Sequence, residues 1–478
     1  MITIRRLLVP TVVVFLLAGC GGSESTSGSS AADVAGIVPA SAPLLLAFET
    51  DPDSDQWKQA DELLSKFPGK QKLLDEVRKG AKEEGIDLDE DVLPALGDET
   101  YLAFLDFEND GGNIVVLTKP RDKAKLTALL KESDDPTVTR EIEGWTAIAE
   151  KDATLDRFAA DSEKLEDADW FVDAQARVDE DALVTMFANG APITEAMTKQ
   201  AIPGCDPPKQ QGELQYAAGS LVAGEDGVRF KLAAESEGAP EVSQSDSLLD
   251  QVPSGAYAYI GSPGVDFAGL GLTEQLRCAL DSGGVGEIED ELGVRFEQIL
   301  DLFEGGLGIY TRPASLIPEV TLLLAPKDAK EGLSTLDTLA EQAGTLFDAR
   351  PRPRVIGEIA AKELQLGPVS ILYGENDGHI AVTTSRAGIQ ALADGGDSLA
   401  DDEAFKRATD AAGVGDDDVY AYFDLQRLVD LADDVAGFAE EDLPAEVRAN
   451  LEPLGSFVAF GNTSDSNDIE VGAFLEIR

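Results

Sequence analysis

The sequence predicts an α+β protein made of two tandem homologous domains, each a mostly antiparallel sheet with packed amphipathic helices. Three observations predict this class: strong hairpin turns, apolar residues at helical spacing, and features that occur twice in the same order. We expect the first domain to span residues 37–240 and the second residues 241–478. The boundary lies where Gly, Pro, Ser and acidic residues cluster.

Antiparallel pairing is indicated by segments that alternate apolar and polar residues on either side of a turn. Such alternation is typical of half-buried antiparallel strands. The predicted hairpins are Leu214–Ala223 with Val228–Ala234, Leu454–Gly461 with Ile469–Ile477, and Val369–Tyr373 with His379–Thr383.

Helices are predicted where apolar residues recur every three or four positions, so that one face can pack against a sheet. In the first domain they are Gln56–Phe67, Lys70–Glu83 and Asp122–Glu132. In the second domain they are Thr273–Asp281, Phe296–Phe303 and Ala329–Leu346.

The duplication rests on matches that keep their order along the chain. Val38-Pro39 and Val252-Pro253 each lead into an apolar strand, predicted at Leu44–Phe48 and Ala256–Ile260. Further along, the matches hold a nearly constant offset, which chance would not produce. The aligned pairs include Trp145 with His379, Phe158 with Leu392, Leu165 with Leu399, and Phe171 with Phe405.

The amino terminus has the features of an export signal, expected at residues 1–19. Arg5 and Arg6 precede an apolar run of about a dozen residues, which is too short for the roughly 20 that a membrane span requires. The run ends in Leu17-Ala18-Gly19-Cys20, which is similar to the lipobox of bacterial lipoproteins. We therefore expect cleavage before Cys20 and lipidation of its thiol, since several acyl chains anchor a protein firmly.

Residues 20–36 are rich in Ser and Gly and are predicted to form a flexible tether. The resulting protein would be lipid-anchored, extracytoplasmic and attached to the cell membrane or envelope. Its composition of 38 basic and 91 acidic residues gives a net charge of −53. Such a surface repels nucleic-acid phosphates and favours a soluble monomer, so no nucleic-acid partner is expected.

The two remaining cysteines, Cys205 and Cys278, would lie in an oxidising compartment where disulfides persist. We predict that they pair, which would add roughly 4 kcal/mol of stability in the chain-entropy model. Two buried free thiols are the alternative.

Residue patterns for catalysis are lacking. The only histidine, His379, aligns with a tryptophan and is interpreted as a packing residue, so neither a Ser-His-Asp relay nor a His-rich zinc site is expected. Asp51, Asp53, Asp55 and Glu62 have the spacing of a calcium loop, but Gln56 stands where that loop needs Gly. A helix cap is the preferred interpretation. No catalytic, cofactor-binding or metal residue is assigned.

The chain resembles a known family in four features. They are the lipobox, the Ser/Gly tether, the Val-Pro entry into a strand, and the helix ending Leu63-Leu-Ser-Lys-Phe67-Pro-Gly69. This family is the actinobacterial type of exported proteins catalogued as domain of unknown function 3352. The resemblance implies no catalytic residues. We expect a non-enzymatic lipoprotein that binds an envelope protein or a small ligand, or has a structural role. The alternative is an extracellular hydrolase that uses carboxylates or a metal.

Overall fold

The computed structural model describes most of the chain after the amino-terminal 30 residues. The described residues are 31–83, 85–107, 113–132, 136–179, 181–199, 212–238, 248–264, 273, 277–278, 285–314, 318–367, 369–415, 418–438, 443–465 and 467–478. Within these residues no helix is both long and apolar enough to cross a membrane.

Eighteen strands in the described residues form a single sheet. They are β1 Leu44–Glu49, β2 Glu99–Phe104, β3 Ile114–Thr118, β4 Val138–Ile142, β5 Trp145–Ala149, β6 Val184–Asn189, β7 Glu213–Gly224, β8 Gly227–Glu237, β9 Ala258–Pro263, β10 Gly306–Arg312, β11 Glu319–Leu324, β12 Arg352–Ile356, β13 Ile359–Leu366, β14 Val369–Asn376, β15 His379–Thr383, β16 Val419–Asp424, β17 Leu454–Asp465 and β18 Asp468–Ile477.

Every strand pair in this sheet is antiparallel. From one edge to the other the order is β4-β5-β3-β2-β1-β6-β7-β8-β18-β17-β16-β9-β10-β11-β15-β14-β13-β12. The α+β class predicted from the sequence is confirmed.

The same described segments contain fifteen α-helices. They are α1 Ala32–Ala35, α2 Asp55–Ser65, α3 Lys70–Glu83, α4 Leu93–Ala95, α5 Lys123–Glu132, α6 Asp152–Ala160, α7 Asp169–Gln175, α8 Gly190–Lys199, α9 Val285–Leu292, α10 Phe296–Leu300, α11 Ala329–Leu346, α12 Arg386–Asp394, α13 Glu403–Ala412, α14 Leu425–Phe438 and α15 Ala445–Leu451. Short 3₁₀ turns lie at Leu165–Asp167, Leu248–Gln251, Asp301–Phe303 and Leu399–Asp401, and a π turn at Leu88–Val92.

Helices pack on both faces of the sheet, because both sets of alternating strand residues are largely apolar. We call face A the side of Leu45, Tyr101 and Leu323, where the two largest core clusters lie, one in each half. Face B is the opposite side, marked by Leu102 and Leu324, and it carries three smaller clusters. A three-layer arrangement of helix, sheet and helix results.

The two halves are not separate sheets, in contrast to the expectation. β8 of the first half pairs with β18 of the second over nine residue positions, from Glu235 opposite Asp468 to Gly227 opposite Glu476. Arg229 strengthens this junction by donating from Nη1 to the carbonyl of Ala412 at 2.5 Å, at the end of α13. A strand edge accepts any strand of suitable twist, so the sequence did not indicate this pairing.

Most predicted elements lie close to their expected positions. The bounds of α3 and α11 match, while β9 begins at Ala258 instead of residue 256, although the N–H of Tyr257 still donates to the carbonyl of Thr311 at 3.1 Å. The helix expected at Thr273–Asp281 lies largely outside the described residues.

The last residues of the expected tether, 31–36, are part of the folded body. Val34 of α1 is fully buried in the face A core together with Ala31 and Ala35. The small apolar side chains of this turn allow it to pack directly against the first half, so residues expected to belong to the tether contribute to the core.

Candidate functional site

The strongest concentration of buried acidic groups lies where β1 ends and β2 begins. Glu49 is the last residue of β1 and lies directly opposite Glu99, the first residue of β2, so both side chains project from face A. Glu49 is only 3% exposed, and its Oε1 accepts a hydrogen bond from the N–H of Asp51 at 2.8 Å. The hydroxyl of Tyr101 donates to Oε2 of Glu99. We call Glu49, Glu99 and Tyr101 the acidic pair site.

Burial changes the protonation of this site. The pKa of the Glu49 carboxyl is raised from 4.5 to about 8. Removal from water is the main cause, and the carboxylates of Glu99, Asp51 and Asp98 act in the same direction, while the hydrogen bond from the Asp51 N–H opposes them. Burial, followed by the charge of Glu99, also raises the pKa of the Tyr101 hydroxyl. Glu49 is therefore mostly protonated at neutral pH, and a single proton relieves repulsion between two adjacent carboxylates.

The backbone around the site is fixed by threonine hydroxyls. Thr50 Oγ1 donates to the carbonyl of Gly97 at 2.9 Å, and the N–H of Gly97 donates to Thr118 Oγ1 at 3.0 Å. A Cβ atom at position 97 would lie 2.3 Å from the carbonyl oxygen of Lys119, so only glycine fits this approach. The end of β1 and the start of β2 are thereby held together.

The acidic turn after β1 is a helix cap, as the sequence interpretation preferred. Ser54 caps α2 by accepting a hydrogen bond from the N–H of Trp57 at 3.3 Å. The carboxylate of Asp51 is bound by Arg121 Nη2 at 2.5 Å, and the same guanidinium reaches Asp98 at 2.8 Å. Among the described residues, no group of three or more potential ligands is arranged to hold a metal ion.

The second half lacks the acidic pair site. At the corresponding end of β9 and β10, Pro263 lies opposite Gly306. The buried acidic residue of the second half is Glu319, which is 2% exposed and forms an ion pair with Arg312 at 2.7 Å. The hydroxyl of Ser385 also donates to Glu319. This carboxylate is fully used in holding β10, β11 and the start of α12 together.

The other residues singled out from the sequence are not gathered at the acidic pair site. His379 is the first residue of β15, as Trp145 is of β5, so the aligned residues occupy matching strand starts. Cys20 and Cys205 lie outside the described residues. Cys278 is half-buried and disulfide-bonded, but its partner is not among the described atoms, so the pairing with Cys205 stays a prediction.

Sequence reasoning did not find the acidic pair site. Glu49 follows the apolar run of β1, and Glu99 follows an acidic turn, so each resembles an ordinary solvated strand end. The available signal was the phase of the alternation, because Leu45, Ala47 and Glu49 share one face. Using it would have required knowing that β2 pairs with β1 in this register.

Comparison with known families adds one match. Residues 2–143 match the sequence profile of a family described as "Protein of unknown function (DUF3352)". The expected resemblance is confirmed over this segment. The match includes the amino-terminal segment, the acidic pair site and the capped turn. None of the curated proteins matches the chain.

Among solved structures, three crystal forms of TP0453 align with part of the chain. Forms III, IV and I have sequence identities of 12%, 14% and 11% and TM-scores of 0.24, 0.22 and 0.24. They cover 44%, 43% and 44% of this chain, and 82%, 83% and 80% of the TP0453 chain. Similarity at this level supports no argument about fold or function.

Proposed function

We propose that this protein is an exported lipoprotein, cut before Cys20 and held at the outer face of a membrane by acyl chains on that residue. The observation that carries the proposal is the order of a basic start, a short apolar run, Leu17-Ala18-Gly19-Cys20 and a Ser/Gly tether. The composition of residues 21–30 supports it, because a run made only of Gly, Ser, Thr and Glu suits a spacer between an anchor and a folded body.

The folded body, in this proposal, binds a ligand or an envelope partner and performs no catalysis. The acidic pair site is the best candidate for chemistry, yet Glu49 is 3% exposed and hydrogen-bonded to backbone. A general acid must reach its substrate. The alternative of a carboxylate- or metal-dependent hydrolase is therefore less well supported, and the raised pKa of Glu49 is the one observation in its favour.

We further propose that the body arose by duplication, with domains at residues 37–240 and 241–478. Reading outward from the central junction, the strand order is β8-β7-β6-β1-β2-β3-β5 in one half and β18-β17-β16-β9-β10-β11-β15 in the other. The same isolated bridge recurs, between Pro39 and Lys164 and between Pro253 and Ser398. The equal connectivity supports a common origin of the two halves.

The acidic surface supports a monomer whose partner is not a nucleic acid. The chain carries a net charge of −53, so self-association must overcome strong repulsion. A Cys205–Cys278 disulfide would add a covalent link across the proposed domain boundary.

The test of the anchor is fractionation of cells that produce the full chain and its Cys20→Ala variant. The native protein should partition into detergent, and mass spectrometry should find residue 20 acylated with residues 1–19 removed. The variant should be recovered in the aqueous phase. A native protein that retains residues 1–19, or has an unmodified sulfur at residue 20, would overturn the proposal.

A further inference from the structure

One row of side chains on face B crosses eight neighbouring strands without a charged or polar residue. Residues opposite each other in an antiparallel ladder share a face, so the strand register defines the row. In order from β7 to β11 it consists of Leu221, Phe230, Ala473, Ala459, Ala421, Ile260, Ile309 and Leu322. We call it the apolar row.

Much of the apolar row is open to solvent. Phe230 is 41% exposed, Ile260 is 49% exposed and Ile309 is 40% exposed. The three alanines between Phe230 and Ile260 are also partly exposed. Exposed apolar side chains that adjoin one another over several strands are uncommon on soluble proteins and mark binding surfaces.

Differences in side-chain size along the row define a segment that we call the trough. Its floor consists of three small side chains, Ala473, Ala459 and Ala421. The larger side chains of Phe230 and Ile260 lie on either side of them. In the next row toward the ends of β16 and β18, the rings of Phe423 and Phe457 lie 6.1 Å apart and form one side. Four strand spacings separate Phe230 from Ile260, which is about 19 Å.

Charges are placed away from this surface. On β8, Arg229 and Lys231 alternate with Phe230 and therefore project from face A, where Lys231 pairs with Glu470 at 3.1 Å. In a chain with a net charge of −53, an uncharged row across eight strands favours an uncharged, aliphatic occupant. A second copy of the chain would bring the same acidic surface into contact with this one.

A peptide strand is also disfavoured as the occupant. All eight strands of the row are paired along both edges, so their backbone groups are already used within the sheet. Only side-chain contact is available to a ligand, which suits a hydrocarbon chain. An extended trough of about 19 Å accommodates a chain that reaches the depth of one membrane leaflet, about 15 Å.

We infer that the apolar row binds one acyl chain of a membrane lipid. The inference rests on the proposed binding role and specifies its ligand class. The trough shields the hydrocarbon on one side, and the anchor at Cys20 would keep the site beside its source of lipid.

The test measures binding of cis-parinaric acid, a fluorescent fatty acid, to the full chain carrying Cys20→Ala in detergent-free buffer. Two variants address the row: Ala459→Phe fills the trough floor, and Ile309→Glu places a charge at an exposed position. The matched control is Ala360→Phe, which makes the same alanine-to-phenylalanine substitution at an exposed position of β13 outside the row. We expect saturable binding that is at least tenfold weaker in both row variants and unchanged in the control.

Absence of saturable binding, or equal binding by all of the variants, would overturn the inference. So would a dimer of the parent chain that Ile309→Glu converts to monomer, because a second copy would then occupy the row. Folding of each variant is checked by circular dichroism, and Ile309→Glu keeps the test valid if Ala459→Phe fails to fold. Because the Cys20→Ala chain carries no lipid anchor, failure here leaves the fractionation result for the proposed function unaffected.

Discussion

Replacement of Glu49 by Gln should make the stability of the protein much less dependent on pH between 5 and 9. The folded protein raises the pKa of this carboxyl from 4.5 to about 8. Because the folded state holds the proton more tightly than the unfolded chain, the stabilisation from this proton is complete below pH 4.5. It is lost as the pH rises through about 8.

The magnitude follows from the pKa difference. Each pH unit in this interval costs about 1.4 kcal/mol, so ionisation of Glu49 destabilises the native protein by about 4 kcal/mol between pH 5 and pH 9. Glutamine keeps an oxygen that can accept the Asp51 N–H and carries no charge. The wild type should therefore lose about 4 kcal/mol more than the variant over this range.

Urea unfolding at pH 5, 7 and 9, followed by circular dichroism, provides the measurement. Glu62→Gln, an exposed position on α2, is the matched control and should show the wild-type dependence on pH. Equal changes in urea midpoint for wild type and Glu49→Gln between pH 5 and 9 would refute the reasoning, because the carboxyl would then not be protonated in the folded state.

Three further predictions concern the junction and the two halves. Arg229→Met should lower stability by about 1–2 kcal/mol, because the carbonyls of Ala411 and Ala412 lose a charged donor. Thermal unfolding should show a smaller change for the control Lys231→Met, which removes only a partly exposed ion pair. Phe171→Ala and Phe405→Ala, both at fully buried positions, should each cost about 3–5 kcal/mol in urea unfolding; a cost below 1 kcal/mol for either would contradict equivalent roles. Peptide mapping without reductant should recover the peptides of the two carboxy-terminal cysteines linked to each other, and a free thiol at either one would exclude the predicted disulfide.

Local elements were predictable because they depend on residues close in sequence. The β7–β8 hairpin turns at Gly224-Glu-Asp-Gly227, and each strand alternates apolar and polar residues, so the pairing of these neighbours follows from the chain itself. The bounds of α3 and α11 were predicted for the same reason, since helical periodicity is read within a few turns.

The acidic pair site could not be predicted, because its properties come from contacts between distant segments. Glu49 owes its raised pKa to burial and to the neighbouring carboxylates of Glu99, Asp51 and Asp98. Two of these three neighbours, Asp98 and Glu99, lie at the start of β2, which is separated from β1 by three helices and a π turn. The sequence shows an abundance of acidic residues but not which of them lose contact with water.

The sequence by itself determined the α+β class, the hairpins, a helix cap in the acidic turn before α2 and the features of an export signal, since each is specified by side chains within one short segment. Only the tertiary structure decided that β8 joins β18 and makes one sheet of two halves. It also decided that Glu49 is buried and that the apolar row is continuous. Backbone hydrogen bonds are the same for every strand, so the choice of a distant partner depends on the packing of the whole chain.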